Sequence, residues 1–259
     1  MTRSTKSKKN VVKDKIKTTP QKNEPKTIVT IGDKTLSTFI NIIKNCNQEA
    51  LLRIEEGKIR VALVDTGNVY MVISECECKT EFGEGSPASI GIDAEIIKRA
   101  MLHSVGSSIK LVITKSVIEI SYGRFTAKVP AVDVPFMRKE PNPPTLKLCT
   151  SFEMPGKYLN DVCRMVSKTN GRIYIYVKEK VVYLAAAEGD LCIREVVGTV
   201  DKESSARSLY SNTYLSAIAA SIKDVSVKVD VDIDHPVSIS AEKDGCSTTF
   251  LLAPRIEGD

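Results

Sequence analysis

The sequence predicts an α+β fold in which one unit is used twice. Three observations carry this. Amphipathic helix patterns come in pairs, each pair interleaved with short alternating strands. The first-half pattern returns at an offset of roughly 120 residues, the mark of a duplicated unit. A proline-rich stretch separates the halves. Such content favours two similar halves, each with two helices packed on antiparallel sheets.

The first helix is expected from Thr35 to Asn47, where Leu36, Phe39, Ile40 and Ile43 share a face. Strands follow at Ala50–Ile54, Ile59–Val64 and Val69–Cys76, the first two joined through Glu55-Glu56-Gly57. The second helix is expected from Asp93 to Val105, with Ile96, Ile97, Ala100 and Met101 apolar. Asp93 and Glu95 suit its positive N-terminal end. Strands at Ile109–Thr114, Val117–Ser121 and Arg124–Val129 close this half.

The third helix is expected from Pro155 to Lys168, with Leu159, Val162, Cys163 and Val166 on one face. Strands at Arg172–Val177, Val181–Ala186 and Leu191–Val197 follow. The fourth helix is expected from Ser211 to Ile222, with Ser211 or Asn212 as its N-cap. Strands at Val225–Val231, Val237–Ala241 and Thr248–Leu252 end the pattern. Pro130, Pro135, Pro141, Pro143 and Pro144 favour an extended surface connector between the halves. The expected division is a basic extension over 1–26, a first domain over 27–130, a connector over 131–146 and a second domain over 147–259.

With 259 residues the chain can bury a large core. No run is long and apolar enough to span a bilayer, and the lysine-rich start lacks a signal peptide's apolar segment. An intracellular protein is expected. The seven cysteines are an odd, scattered set without a C-x-x-C pair, which predicts reduced thiols used mostly as small buried apolar groups and not a disulfide frame. The net charge of +5 is uneven: nine Lys or Arg against Asp14 and Glu24 give residues 1–26 a charge of +7, leaving a body of −2. The extension has few apolar residues and is expected to be disordered. Any cationic surface in the body has to be segregated.

The helices offer one. Their polar faces carry Ser37, Asn41 and Lys44; then Lys98, Arg99 and His103; then Asn160, Arg164, Ser167 and Lys168; and last Ser216, Ala220 and Lys223. Spacings of three or four residues put such groups on common faces. A face of this kind can hold phosphate without reading sequence. The fourth helix is nearly uncharged.

Catalytic chemistry finds no support in the sequence. Asp230, Asp232 and Asp234 alternate along an expected strand, which points their carboxylates one way. A metal-dependent enzyme built on them is the weaker reading, because no further ligand set accompanies them. Cys76 and Cys78 also point one way, without a second pair for zinc. Gly32-Asp33-Lys34-Thr35 lacks the upstream glycine of a phosphate loop. His103 and His235 lie in different halves with no nucleophile motif nearby. Neither a metal, nor a cofactor, nor a catalytic residue is expected.

The last residues, Phe250-Leu251-Leu252-Ala253-Pro254-Arg255-Ile256-Glu257-Gly258-Asp259, run an apolar strand into Ala-Pro and a charged tail. Proline ends the strand. This ending resembles the C-terminal signature of DNA sliding clamps, the proliferating cell nuclear antigen family of archaeal and eukaryotic type. The turn Val64-Asp65-Thr66-Gly67-Asn68-Val69, the Arg124–Asp133 segment and His235-Pro236-Val237 resemble the family in the same order, so the likeness runs from about Thr27 to the C-terminus.

The resemblance implies a DNA clamp fold closing as a ring-forming homotrimer, with helices around duplex DNA and sheets outside. The strand near Ile120–Lys128 would pair with the strand near Leu191–Val197 of the next subunit. The function implied is a polymerase processivity factor that tethers replication and repair enzymes; the alternative is a specialised subunit of a heterotrimeric or checkpoint-type clamp. By the same resemblance Lys44, Lys98, Arg99, His103, Asn160, Arg164 and Lys168 face DNA. Val64, Asn68, Val69, Met71, Phe136, Met137, Pro236, Leu251, Ala253 and Pro254 would hold short peptides of a DNA polymerase, clamp loader, flap nuclease and ligase. The implied location is chromosomal DNA, in the nucleus if eukaryotic and the cytoplasm if archaeal.

Overall fold

The computed structural model describes residues 24–201 and 204–255. Most of the extension expected over 1–26, and residues 256–259 of the tail, lie outside them. The first half runs β1 (Thr27–Gly32), α1 (Asp33–Cys46), β2 (Glu49–Glu55), β3 (Lys58–Val64), β4 (Tyr70–Glu77), β5 (Lys79–Phe82), β6 (Ser89–Asp93), α2 (Ala94–Ala100), β7 (Ser108–Ile113), β8 (Val117–Tyr122) and β9 (Phe125–Pro130). A short 3-10 turn at Val134–Phe136 lies in the connector. The second half runs β10 (Thr150–Pro155), α3 (Gly156–Arg164), β11 (Arg172–Lys178), β12 (Val181–Glu188), β13 (Leu191–Thr199), β14 (Ala206–Ser211), α4 (Asn212–Ile222), β15 (Ser226–Val231), β16 (Val237–Lys243) and β17 (Cys246–Leu252).

The duplication is visible in the sheet order. In the first half the strands lie β4-β3-β2-β6 and β1-β7-β8-β9, with β5 added beside β1. In the second they lie β13-β12-β11-β14 and β10-β15-β16-β17. An eight-stranded sheet joins β10-β15-β16-β17 to β4-β3-β2-β6 through an antiparallel seam between β17 and β4. That seam runs from Cys246 opposite Cys76 to Leu252 opposite Tyr70.

Alternation decides which faces are buried. Ile59 and Val61 of β3 point into the first core with Phe39 and Ile43 of α1. Ile218 of α4 and Leu159 of α3 fill the second core with Phe250 of β17. Tyr70 and Val72 of β4 belong to that second core, so apolar packing crosses the seam.

Five strands had no counterpart in the sequence reading: β1, β5, β6, β10 and β14. β5 is mostly exposed and polar, so it carries no apolar alternation. β10 does alternate buried and exposed, but it is short, follows the proline-rich connector and ends on Pro155. Two helices are shorter than expected. α2 stops at Ala100 rather than Val105, because the chain turns back and the Gly106 N–H, at positive φ, is held by the Asp33 carboxylate at 2.8 Å. α3 stops at Arg164 rather than Lys168. Asn212, expected as an N-cap of α4, instead donates through Nδ2 to the carbonyls of Cys163, Val166 and Ser167 at the end of α3. Ser211 is the N-cap by position, without a side-chain cap bond.

The expectation of reduced, mostly buried cysteines is corrected twice: one pair is bonded, and of the free thiols Cys163 is buried while Cys46 and Cys78 are half-buried and Cys149 and Cys192 are exposed. Cys76 and Cys246 face each other across the seam and are disulfide-bonded, with Cα atoms 4.2 Å apart. They are 170 residues apart in sequence, and only sheet pairing brings them together. Cys46, Cys78, Cys149, Cys163 and Cys192 are free. The aspartate row is corrected too. β15 ends at Val231, so Asp232 and Asp234 lie in a turn, where Asp232 accepts from the Ile233 N–H and Asp234 takes positive φ. Among the described residues no cluster of His, Cys, Asp or Glu suits a metal. Among them, no helix is long and apolar enough to cross a membrane.

Candidate functional site

The four helices form a contiguous row. α1 packs on α2, α3 on α4, and α1 meets α4, giving the order α2–α1–α4–α3. A groove of about 260 Å³ between α1, α2 and α4 is lined by Asn41, Lys44, Lys98, Ala220, Ser221 and Lys243. Two of the expected phosphate-facing cations, Lys44 and Lys98, therefore share one groove. Lys44 is ion-paired to Glu95 across α1 and α2, and its hydrogen bond holds the Glu95 carboxyl below the usual range. Lys98 and Arg99 are exposed in the last turn of α2, and Arg164 is exposed at the end of α3, one turn beyond half-buried Asn160.

Two expected residues are not on helices. Lys168 lies past α3, and its carbonyl accepts from the Thr213 hydroxyl at 2.9 Å. His103 lies in the turn after α2 and stacks on Phe125 of β9, with ring centroids 5.8 Å apart. Lys243 was missed. It ends β16, and its ammonium donates to the Ser221 carbonyl at 3.1 Å beside the pale face of α4. No helical spacing could have found it, because a strand supplies it.

The expected cleft residues gather on the outer face near the seam. Val64 pairs with Met71, and Met71 with Leu251, in one cross-strand row. Alternation turns Met71 away from the core that buries Tyr70 and Val72. The Ala253 N–H donates to the Val69 carbonyl at 2.9 Å, and Pro236 precedes Val237, which pairs with Leu252. Val69 also packs against the second core. Pro254 continues this line, and Arg255 N–H donates to the Leu209 carbonyl at 2.7 Å.

The connector crosses the outer face of β2 and β3. Phe136 ends the 3-10 turn and Met137 follows it. A groove of about 690 Å³ separates connector and sheet, lined by Leu51, Arg53, Arg60, Ala62, Val134 and Met137 among others. A smaller cavity of about 80 Å³ brings Met137 and Arg138 over Val64. The connector is fastened at several points. The Val132 N–H donates to the Gly91 carbonyl at 2.9 Å. A Cβ on Gly91 would lie 2.3 Å from the Val132 carbonyl oxygen and 2.6 Å from Met137 Sδ, so only glycine fits there. Arg53 pairs with Glu140 at 2.9 Å.

Arg138 is the fastening that sequence reasoning missed. Its Nη1 donates to the Asp65 carbonyl at 2.6 Å and its Nη2 donates to the Asn68 side chain. Nothing in the local spacing marks it. Gly91, by contrast, left a signal: a lone glycine between Ile90 and Ile92 in a strand pattern suggests close backbone approach.

The turn that Arg138 grips is pre-shaped. Asp65 is buried, and its carboxylate accepts N–H bonds from Gly67, Val69 and Tyr70 at 3.0, 2.8 and 2.9 Å. Burial pushes the Asp65 carboxyl up, but the backbone donors of Tyr70, Val69 and Gly67 with the Tyr214 hydroxyl outweigh it and hold it below the usual range. Asn68 takes a positive φ of 57°, which asparagine tolerates.

Known proteins place this architecture. No protein-family model matches the chain. It is 33% identical over 234 residues to the DNA polymerase sliding clamp of Methanocorpusculum labreanum, covering 85% of this chain and 94% of that protein. It is 30% identical over 240 residues to the sliding clamp of Methanothrix thermoacetophila, covering 88% and 97%. Among solved structures, A. fulgidus PCNA bound to the C-terminal region of FEN-1 aligns with a TM-score of 0.80 at 20% identity, covering 90% of this chain and all of that one. PCNA from Thermococcus kodakaraensis aligns at 0.75 and 20% identity, covering 89% of this chain and all of that one. With a duplicated half, a helix row, a strapped outer cleft and these relatives, the chain belongs to the DNA polymerase sliding clamp family.

Proposed function

We propose that three copies of this chain close head to tail into a ring around duplex DNA, and that the ring tethers replication enzymes by short peptides. One observation carries the closure. Inside the chain β17 pairs with β4. Their counterparts in the duplicated halves are β9 and β13, and within the described residues each is a sheet edge, paired on one side to β8 or β12 and open on the other. Pairing β9 of one copy with β13 of the next repeats the internal seam between subunits, and it covers two edges that otherwise invite aggregation.

Apolar surface flanks both edges. Phe125 lies exposed at the start of β9, and Leu102 and Val105 lie exposed in the segment after α2, which packs against β9. Met165, Leu191 and Val196 lie exposed on or beside β13, which α3 packs against. Lys44, Lys98, Arg99, His103, Asn160, Arg164 and Lys168 are proposed to meet phosphates on the inside. Val64, Asn68, Val69, Met71, Phe136, Met137, Pro236, Leu251, Ala253 and Pro254 are proposed to receive peptides of the polymerase, clamp loader, flap nuclease and ligase outside. The FEN-1 segment bound to the A. fulgidus protein supports the nuclease in that set.

On this reading the protein is a binding ring and no enzyme, acting inside the cell on chromosomal DNA. Weak, screened contacts suffice, because topology retains the ring while it slides. The test is retention: a loaded ring stays on a closed plasmid and runs off once the plasmid is cut. Equal escape from both forms refutes encirclement. A mixed ring is the second reading, favoured by the uncharged Ser216 and Ala220 on α4. Light scattering separates the two, since self-closure gives three copies and a mixed-ring subunit stays smaller.

A further inference from the structure

We propose that Arg138 is a specificity-determining latch, which closes the connector on the Val64–Val69 turn until an acidic residue of a partner peptide takes its guanidinium. The inference rests on the peptide cleft proposed above. Val64 and Asn68 belong to that cleft, yet the chain's own connector meets both. Arg138, Lys139, Glu140 and Pro141 stand over Val64 in the small cavity, and Arg138 holds the Asn68 side chain. One end of the cleft is therefore filled in cis.

The chemistry of the latch says what opens it. Both acceptors of the guanidinium, the Asp65 carbonyl and the Asn68 side-chain oxygen, are neutral. The Asp65 carboxylate is already engaged, with Oδ1 taken by Val69 and Tyr70 of its own turn and Oδ2 by Gly67 and by Tyr214 of α4. The other nearby carboxylate, Glu140, is held by Arg53. Arg138 is thus a cation without a counter-ion in these contacts. An incoming carboxylate offers shorter, two-pronged, charge-assisted bonds, which neutral oxygens do not match.

The surroundings favour the same visitor. Arg53, Arg60, Arg138 and Lys139 line the larger groove, with Glu140 as the acid among its lining residues, and Leu51 and Ala62 of the sheet with Met137 of the connector add apolar surface. Charge and apolar surface together suit a peptide with an aspartate or glutamate beside apolar anchors. The other fastenings, Val132 on Gly91 and Glu140 on Arg53, keep the connector attached when Arg138 lets go.

The experiment uses the whole chain and two fluorescent peptides based on the FEN-1 C-terminal region. They are identical except for Glu or Gln next to the apolar anchors. Anisotropy titration gives the affinity ratio. Wild type should prefer the Glu peptide by about fivefold to tenfold. Arg138→Ala should bind the Gln peptide more tightly than wild type does, and its ratio should fall to about one. Arg138→Lys, which keeps the charge but loses the fork, should recover part of the preference. A Glu/Gln ratio equal in wild type and R138A overturns the latch, as does weaker binding of the Gln peptide to R138A. Failure of both peptides to bind either protein is a different result, and it removes the cleft itself.

Discussion

The Tyr214 hydroxyl, on α4, donates to the Asp65 carboxylate at 3.0 Å, joining two residues 149 positions apart. This bond ties the helix row to the turn that Arg138 grips from the outside. Asp65→Asn places an amide where four donors converge, so at least one of them loses its acceptor. The expected loss is about 1–3 kcal/mol at neutral pH, read as a lower urea midpoint. The sign of the pH dependence follows. The folded-state pKa of Asp65 is depressed, so its stabilisation is present above the ordinary value of about 3.9 and fades as pH falls through the lower folded value. The gap between wild type and variant should therefore close in acid. A gap that stays constant down to the acid transition contradicts the ionised-acceptor role.

The Cys76–Cys246 disulfide joins the halves at the seam, closing a loop of 170-residue separation. Replacing both with serine should cost about 2–5 kcal/mol. Thermal unfolding should then shift down by roughly 2–4 °C per kcal/mol. A thiol titration of denatured, unreduced protein should count the five free cysteines, and reduction should raise the count to seven.

Gly91→Ala should lift the connector at its root, because the new methyl meets the Val132 carbonyl and Met137 Sδ. The expected cost is about 1–3 kcal/mol. Trypsin should cleave faster at Arg138 and Lys139 in the variant. An unchanged digestion rate means that the carbonyl moves aside without releasing the strap.

Removing the charges of Lys98, Arg99 and Arg164 together should weaken DNA association. The salt dependence should flatten by about one log unit of slope for each phosphate no longer neutralised. A slope identical to wild type puts these side chains away from DNA. Lys243→Ala is a separate arm. Its ammonium is engaged by the Ser221 carbonyl and by Asp224 at 3.4 Å, so a smaller change is expected.

Periodicity alone identified all four helices and twelve of the strands in some form, and with them the duplication. Those signals are local, because amphipathic spacing is written along the chain. The polar strand β5 was invisible for the same reason: it is fixed by pairing with β1, not by an apolar face. Lys98 and Arg99 on α2 and Arg164 on α3 were legible as helical cations, whereas the ends of both helices were not: His103 and Lys168 fall beyond them, and Asp33 holds the turn at Gly106 from across the fold.

The sequence by itself determined the repeated helix-and-strand pattern, the apolar ending at Leu251 and Leu252 and the concentration of basic charge in residues 1–26. Tertiary structure alone decided that Cys76 meets Cys246, that Lys243 joins the helix groove, and that Arg138 closes on Asp65 and Asn68. The physical reason is range. Propensity and periodicity act between neighbours, while a disulfide, an ammonium in a groove and a guanidinium on a carbonyl depend on strands that only the folded sheets bring together.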